Sequence, residues 1–166
     1  PTRRSSDLLL SNVTYPSISG TSVARDFVEL PSQLYEHWLL TPEVLSKFAR
    51  HYRTDEPMPA HMIEKLRATS TFNQGFATVE YLSSAIVDID FHSELYDGQE
   101  PIAFEQSVLE RIGMPREIVM RHRSPHFLHI FSGDGYSAGY YSYLWSEVLD
   151  ADAFAAFEET GDVFDP

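Results

Sequence analysis

At 166 residues, with 43% apolar side chains and 11 Phe, 9 Tyr and 2 Trp, the chain fits one domain or a piece of a larger one and can bury a core. Its formal charge of −13 supplies no basic stripe to neutralise phosphates, which excludes nucleic acid as a partner. The absence of cysteine excludes disulfides and thiol catalysis and fits a reducing compartment, while no apolar run approaches the ~20 residues of a membrane span; a soluble, cytoplasmic protein with no membrane partner is expected.

The opening PTRRSSDL has no apolar periodicity, fits badly with the residues after it, and reads as a non-native scar over residues 1–8. Thr21 and Ser22 can cap a helix through RDFVEL, which Pro31 kinks or restarts before QLYEHWLL. Thr41-Pro42-Glu43 places a cap and a first-turn proline ahead of EVLSKFARHY, and Pro59 opens AHMIEKLRAT. The apolar-rich stretch from Phe72 to about Leu95 predicts a long, largely buried helix. Pro101 starts IAFEQSVLERIG, which Gly113 and Pro115 close. A loop from about His122 to Gly135 comes next, and SAGYYSYLWSEVL is the last strong helix. From Ser146 onward there are seven acidic side chains and no basic one, and the chain stops at Asp165-Pro166 without a closing element, as a fragment would. The expected fold class is all-α, with at most a short strand pair.

Three groups of residues can carry chemistry. On a helix, Asp26, Glu29 and Gln33 share one face. Spacing alone favours a solvated polar face; the alternative makes Glu29 a metal ligand, completing a His, His, Glu zinc site with one position left for water. His122, His126 and His129 fall within eight residues. Ser124-Pro125 interrupts them, so local hydrogen bonding is favoured over metal binding. Tyr136, Tyr140 and Tyr143 would align on one helix face after the flexible Gly133-Asp134-Gly135. An aromatic core stripe and a chemical role stay balanced here, because a neutral phenol beside His129 can also donate to the oxyanion of a peptide carbonyl under attack.

Together SGTSVARDFVELPSQLYEHW, ARHY, LRATSTFNQGF and HIFSGDGYSAGYYSYLWSEV resemble the thimet oligopeptidase family of zinc peptidases, from about Leu9 to the end. RDFVELPSQ with EHW, and FNQGF before a long helix, lean towards its bacterial peptidyl-dipeptidase branch, which removes dipeptides from the C-terminus of short peptides. The resemblance implies a zincin-type catalytic domain, of which residues 9–166 are the C-terminal part, truncated at both ends. It implies one zinc ion with Glu29 as third ligand, and Asp26 orienting the metal's neighbours. It implies His129, Tyr136 and Tyr143 as transition-state or substrate-binding groups, Tyr140 as a weaker substrate contact, and Gly133 and Gly135 as a mobile loop. Short peptides are the implied partners and the intact protein is expected to be monomeric.

The family's two zinc histidines lie roughly 25 and 29 positions before the ligand Glu. From Glu29 that count reaches Arg4 and the position before Pro1, so the scar stands where the zinc helix is expected. No other pair among His51, His61 and His92 has the spacing to replace it. The chain alone is therefore expected to be inactive. The alternatives are an endo-acting peptidase of the same family, a non-catalytic peptide-binding module, and a structural helical domain in which all three tyrosines are buried and Glu29 faces solvent.

Overall fold

The computed structural model describes residues 11–93 and 96–165. Positions 1–8, expected to be a scar, and positions 94–95 lie outside the described residues; the long helix expected from Phe72 to about Leu95 runs from Gln74 to Phe91. Among the described residues seven α-helices occur in order: α1 Leu30–Trp38, α2 Pro42–Phe48, α3 Ala60–Ala68, α4 Gln74–Phe91, α5 Pro101–Arg111, α6 Leu128–Phe131 and α7 Ser142–Glu159. Among the described residues the only extended pairing is a single antiparallel bridge between Arg50 and Pro57. The chain is all-α, as its pattern predicts.

Helix ends obey the local chemistry. The Thr41 hydroxyl accepts from the Val44 N–H at the start of α2, and the Glu100 carboxylate accepts from the Ala103 N–H at the start of α5. At the end of α5 Gly113 takes φ +69°, its N–H reaches the Glu110 carbonyl and the Met114 N–H reaches the Leu109 carbonyl. That double return satisfies two carbonyls the helix would otherwise leave bare, and a side chain at the left-handed position would resist it.

Two expected helices begin later than their sequences suggest. RDFVEL is not helical: residues 25–29 form tight turns and α1 begins at Leu30. A helix continued through Pro31 would lack one N–H and press the proline ring against the Phe27 carbonyl, so proline sits in the first turn instead. Asp26 and Glu29 therefore precede α1 and do not share a helix face with Gln33. Likewise the segment before Ser142 is a run of turns, with Ala138 at φ +53°, and α7 extends instead to Glu159. The stretch from His122 to Gly135 is less loop-like than expected, holding a 3-10 turn at Ser124–His126 and the short α6.

The chain divides into two compact units, residues 11–72 with 144–165, and residues 73–143. In the second, α4 and α5 pack together and enclose a cluster of Ala85, Val87, Phe104, Val108, Met120, Phe127, Ile130 and Tyr140. Burying Phe127 and Ile130 completely is worth about 1.5–3 kcal/mol each. In the first, α1 meets α7 through aromatic rings: Trp38 stands edge-on to Phe154 and Phe157, and His37 stacks on Phe154 at 4.4 Å.

Candidate active site

Glu29 caps α1 with backbone angles of φ −90° and ψ −7° and is half-buried. The Ser32 hydroxyl lies 2.8 Å from Glu29 Oε2 and 2.9 Å from the Glu29 carbonyl, so the side chain folds back towards its own helix start. Ser32 is itself buried, which removes water as a competitor for that bond. The preceding turn is anchored at Asp26, whose carbonyl accepts from the buried Ser146 hydroxyl of α7 at 2.8 Å. The carboxylate is thus presented from a fixed turn at a helix entrance, rather than from the face of a helix.

In the second unit His129 of α6 gathers the three tyrosines. Its ring centroid is 5.2 Å from that of Tyr136, 5.8 Å from Tyr140 and 6.0 Å from Tyr143. The Tyr143 hydroxyl lies 3.3 Å from His129 Nε2. The phenols converge because the chain turns, since no common helix face carries them. They also divide by environment. Tyr140 is only 8% exposed, whereas Tyr136 and Tyr143 are half-buried and His129 is exposed. Tyr140 forms the floor: its ring is edge-on to buried Phe127 and stacked with Tyr81. Burial pushes its phenol above the ordinary value of 10, against the pull of nearby Arg121. The reading in which all three tyrosines are buried and Glu29 faces solvent does not match this structure.

The remaining candidates separate. His122 lies against Phe127 and His126 ends the 3-10 turn, so the three histidines near each other in sequence serve three local tasks. Gly133 has φ +155°, and in the turn that follows Ala138 occupies left-handed space at φ +53°.

Sequence reasoning missed Asp88 and Tyr81, which hold this turn, and Glu105, which holds the segment at Ser124. Asp88 on α4 is fully buried, and its Oδ1 and Oδ2 accept from the N–H groups of Ala138 at 3.0 Å and Tyr140 at 2.8 Å. The Tyr81 hydroxyl donates to the Tyr140 carbonyl. Buried Glu105 accepts from the N–H and hydroxyl of Ser124 at 2.7 and 2.8 Å and pairs with Arg123 at 2.7 Å. An acidic residue inside the apolar stretch VEYLSSAIVDIDF was the available signal, because a charge in a buried helix needs a partner.

A catalytic zinc site takes three protein ligands and keeps a fourth position open. Among the described residues no group of three or more His, Cys, Asp or Glu side chains could hold a metal ion. Glu29 supplies one carboxylate, so the described residues do not by themselves fit a zinc ion.

The sequence model of peptidase family M3 matches residues 6–165. The dipeptidyl carboxypeptidase of Escherichia coli is 40% identical over 157 residues, covering 92% of this chain and 23% of that protein. The oligopeptidase A of the same organism is 38% identical over 161 residues, covering 92% of this chain and 23% of its own length. A probable cytosolic oligopeptidase A of Arabidopsis thaliana is 41% identical over 144 residues, or 84% of this chain and 20% of that protein. The chain spans less than a quarter of the length of these relatives.

Proposed function

Because the chain belongs to peptidase family M3, we propose that it supplies the substrate-facing part of a zinc-dependent peptidase that hydrolyses short oligopeptides and releases C-terminal dipeptides. One observation carries this reading. His129, Tyr136 and Tyr143 converge at an accessible surface above a buried Tyr140, which is the arrangement a set of neutral donors needs to meet a carbonyl oxygen. Glu29 would be one metal ligand, with the other two supplied from outside the described residues, and the ion they hold together would supply a water activated for attack.

The residues of this chain divide the remaining work. Tyr143 Oη donates to the oxygen of the scissile carbonyl as negative charge builds on it. His129 Nε2, 3.3 Å from that hydroxyl, donates beside it or orients it. Tyr136 packs edge-on against His129 and limits water access from that side. Gly133 and Gly135 let the loop approach the peptide backbone, Tyr140 supports the group from below, and Asp26 fixes the turn that presents Glu29. Taken alone, the chain is inactive because one carboxylate cannot retain the metal. The whole protein is cytoplasmic, a reading supported by the printed name of the cytosolic Arabidopsis thaliana relative, and monomeric.

The preference for dipeptide release rests on the dipeptidyl carboxypeptidase relative, and an endo-acting enzyme of the oligopeptidase A type is the competing reading. Mass spectrometry of the products from an N-acetylated octapeptide separates them. Sequential loss of C-terminal dipeptides from the full-length, zinc-loaded protein is expected; a single internal cut would transfer the assignment to the endo-acting class, and no cleavage would overturn both.

A further inference from the structure

We infer that Asp88, assisted by His92, is a positioning residue for the peptide-cleaving site: it sets the turn that carries Tyr136 and Tyr143 against the helix that carries His129. This rests on the peptidase reading given under the proposed function.

Asp88 is 0% exposed, and a carboxylate in that setting is unfavourable unless every lone pair facing the protein is used. Its oxygens are used in a particular way. Oδ1 takes the Ala138 N–H and Oδ2 takes the Tyr140 N–H, so one side chain grips two amides, two residues apart, of a single turn. Those amides point the same way only because Ala138 adopts φ +53°, a conformation that an alanine avoids without external support. A helix through the same residues would have turned both N–H groups towards their own preceding carbonyls. The carboxylate therefore selects the non-helical arrangement, and with it the positions of the flanking tyrosines.

His92 completes the device. Its Nδ1 lies 2.9 Å from both the Oδ1 and the backbone carbonyl of Asp88 and 3.3 Å from the Ala138 nitrogen, so the ring sits against both ends of the Asp88–Ala138 bond. The same ring lies 5.4 Å from that of Phe131, the last residue of α6, and α6 also carries His129. The Asp88–His92 pair thus touches both segments whose separation determines whether Tyr143 Oη and His129 Nε2 can serve one oxygen.

The other buried carboxylates of this unit differ. Asp90 pairs with Arg111 and Glu105 with Arg123, and neither bonds to the turn at 138–140. A buried acid that serves only stability gives no reason for that division. Donors to a transition state must be held to within about half an ångström, and loss of an outer partner in comparable sites costs about 10–100-fold.

The test compares variants of the full-length, zinc-loaded protein at matched folded fraction. Asp88→Asn presents an NH2 group to one of the two amides. It is expected to lower kcat about 10–100-fold with KM changed less than about threefold, and to accelerate hydrogen exchange at the Ala138 and Tyr140 amides. Asp90→Asn, on the same helix but paired elsewhere, is expected to lower the melting temperature comparably and to leave kcat within about twofold. A kcat loss in Asp88→Asn no greater than in Asp90→Asn, or unchanged exchange at both amides, overturns the inference. Should Asp88→Asn not fold, His92→Gln decides: a loss of about 3–10-fold in kcat with KM retained supports it, and full activity overturns it. His129→Gln separates the two levels. If it leaves kcat unchanged, the peptide-cleaving reading of this site fails and takes the inference with it. If it lowers kcat while Asp88→Asn does not, only the positioning role fails.

Discussion

The two units order their candidate residues by different means. Residues 73–143 contain eight of the nine buried apolar side chains among the described residues, and the buried carboxylates Asp88, Asp90 and Glu105 are each satisfied there. Residues 11–72 with 144–165 bury one apolar side chain, Leu45, and depend on aromatic edges and single polar ties: Trp38 to the Val163 carbonyl, His37 to Asp150, Ser146 to the Asp26 carbonyl. The tyrosine–histidine cluster is therefore specified by its own packed surroundings, whereas the Glu29 turn is held by a few directional bonds. If the cluster donates to a developing charge, as proposed, it must be rigid before substrate arrives, and the packed unit supplies that rigidity locally.

Core truncation should expose this difference most strongly. Phe127→Ala is expected to cost about 3–5 kcal/mol in urea unfolding and to collapse the tyrosine cluster. Leu45→Ala, at the edge of a thinner core, should cost about 2 kcal/mol, the low end for such changes. Equal losses would mean that the first unit packs as well as the second. Glu105→Gln removes the charged acceptor of the two Ser124 bonds and the Arg123 pair, with an expected loss of about 2 kcal/mol. Trp38→Phe keeps the ring but deletes the donor to Val163, and a loss of about 1 kcal/mol by the same measurement would show that single ties matter in the first unit. The smallest effect concerns pH. Because burial raises the Tyr140 phenol above 10, the folded state holds this proton more tightly than the unfolded chain does. The stabilisation is complete below about pH 10 and is lost as pH rises through the raised value. Tyrosine-ring NMR shifts tracked from about pH 9 upward should show Tyr140 titrating above 10; titration at or below 10 would contradict its place in the core.

Much of the architecture was legible because it is written locally. Thr41, Pro42, Pro101 and Gly113 mark helix ends whatever surrounds them, and the apolar run after Phe72 does form a helix, shorter at both ends than expected and buried only in its second half. The errors have a common origin. RDFVEL and GYSAGYY both have helical spacing, yet one is stopped by the ring of Pro31 and the other by a carboxylate fifty residues earlier in the chain. The first was available from the proline itself. The second was not, since no local pattern says that Asp88 will capture the amides of Ala138 and Tyr140. His129 and the three tyrosines named from the sequence do lie together, by a turn that brings the rings into contact where a helix face was expected.

The most direct test is the turnover of Tyr143→Phe in the full-length, zinc-loaded protein acting on a short peptide. The change removes one hydroxyl 3.3 Å from His129 and leaves the ring in place. If Tyr143 donates to the oxyanion, kcat should fall about 100-fold or more while KM stays within about threefold, the signature of an interaction made chiefly in the transition state. Unchanged kcat would remove Tyr143 from the chemistry and leave the cluster as an aromatic surface.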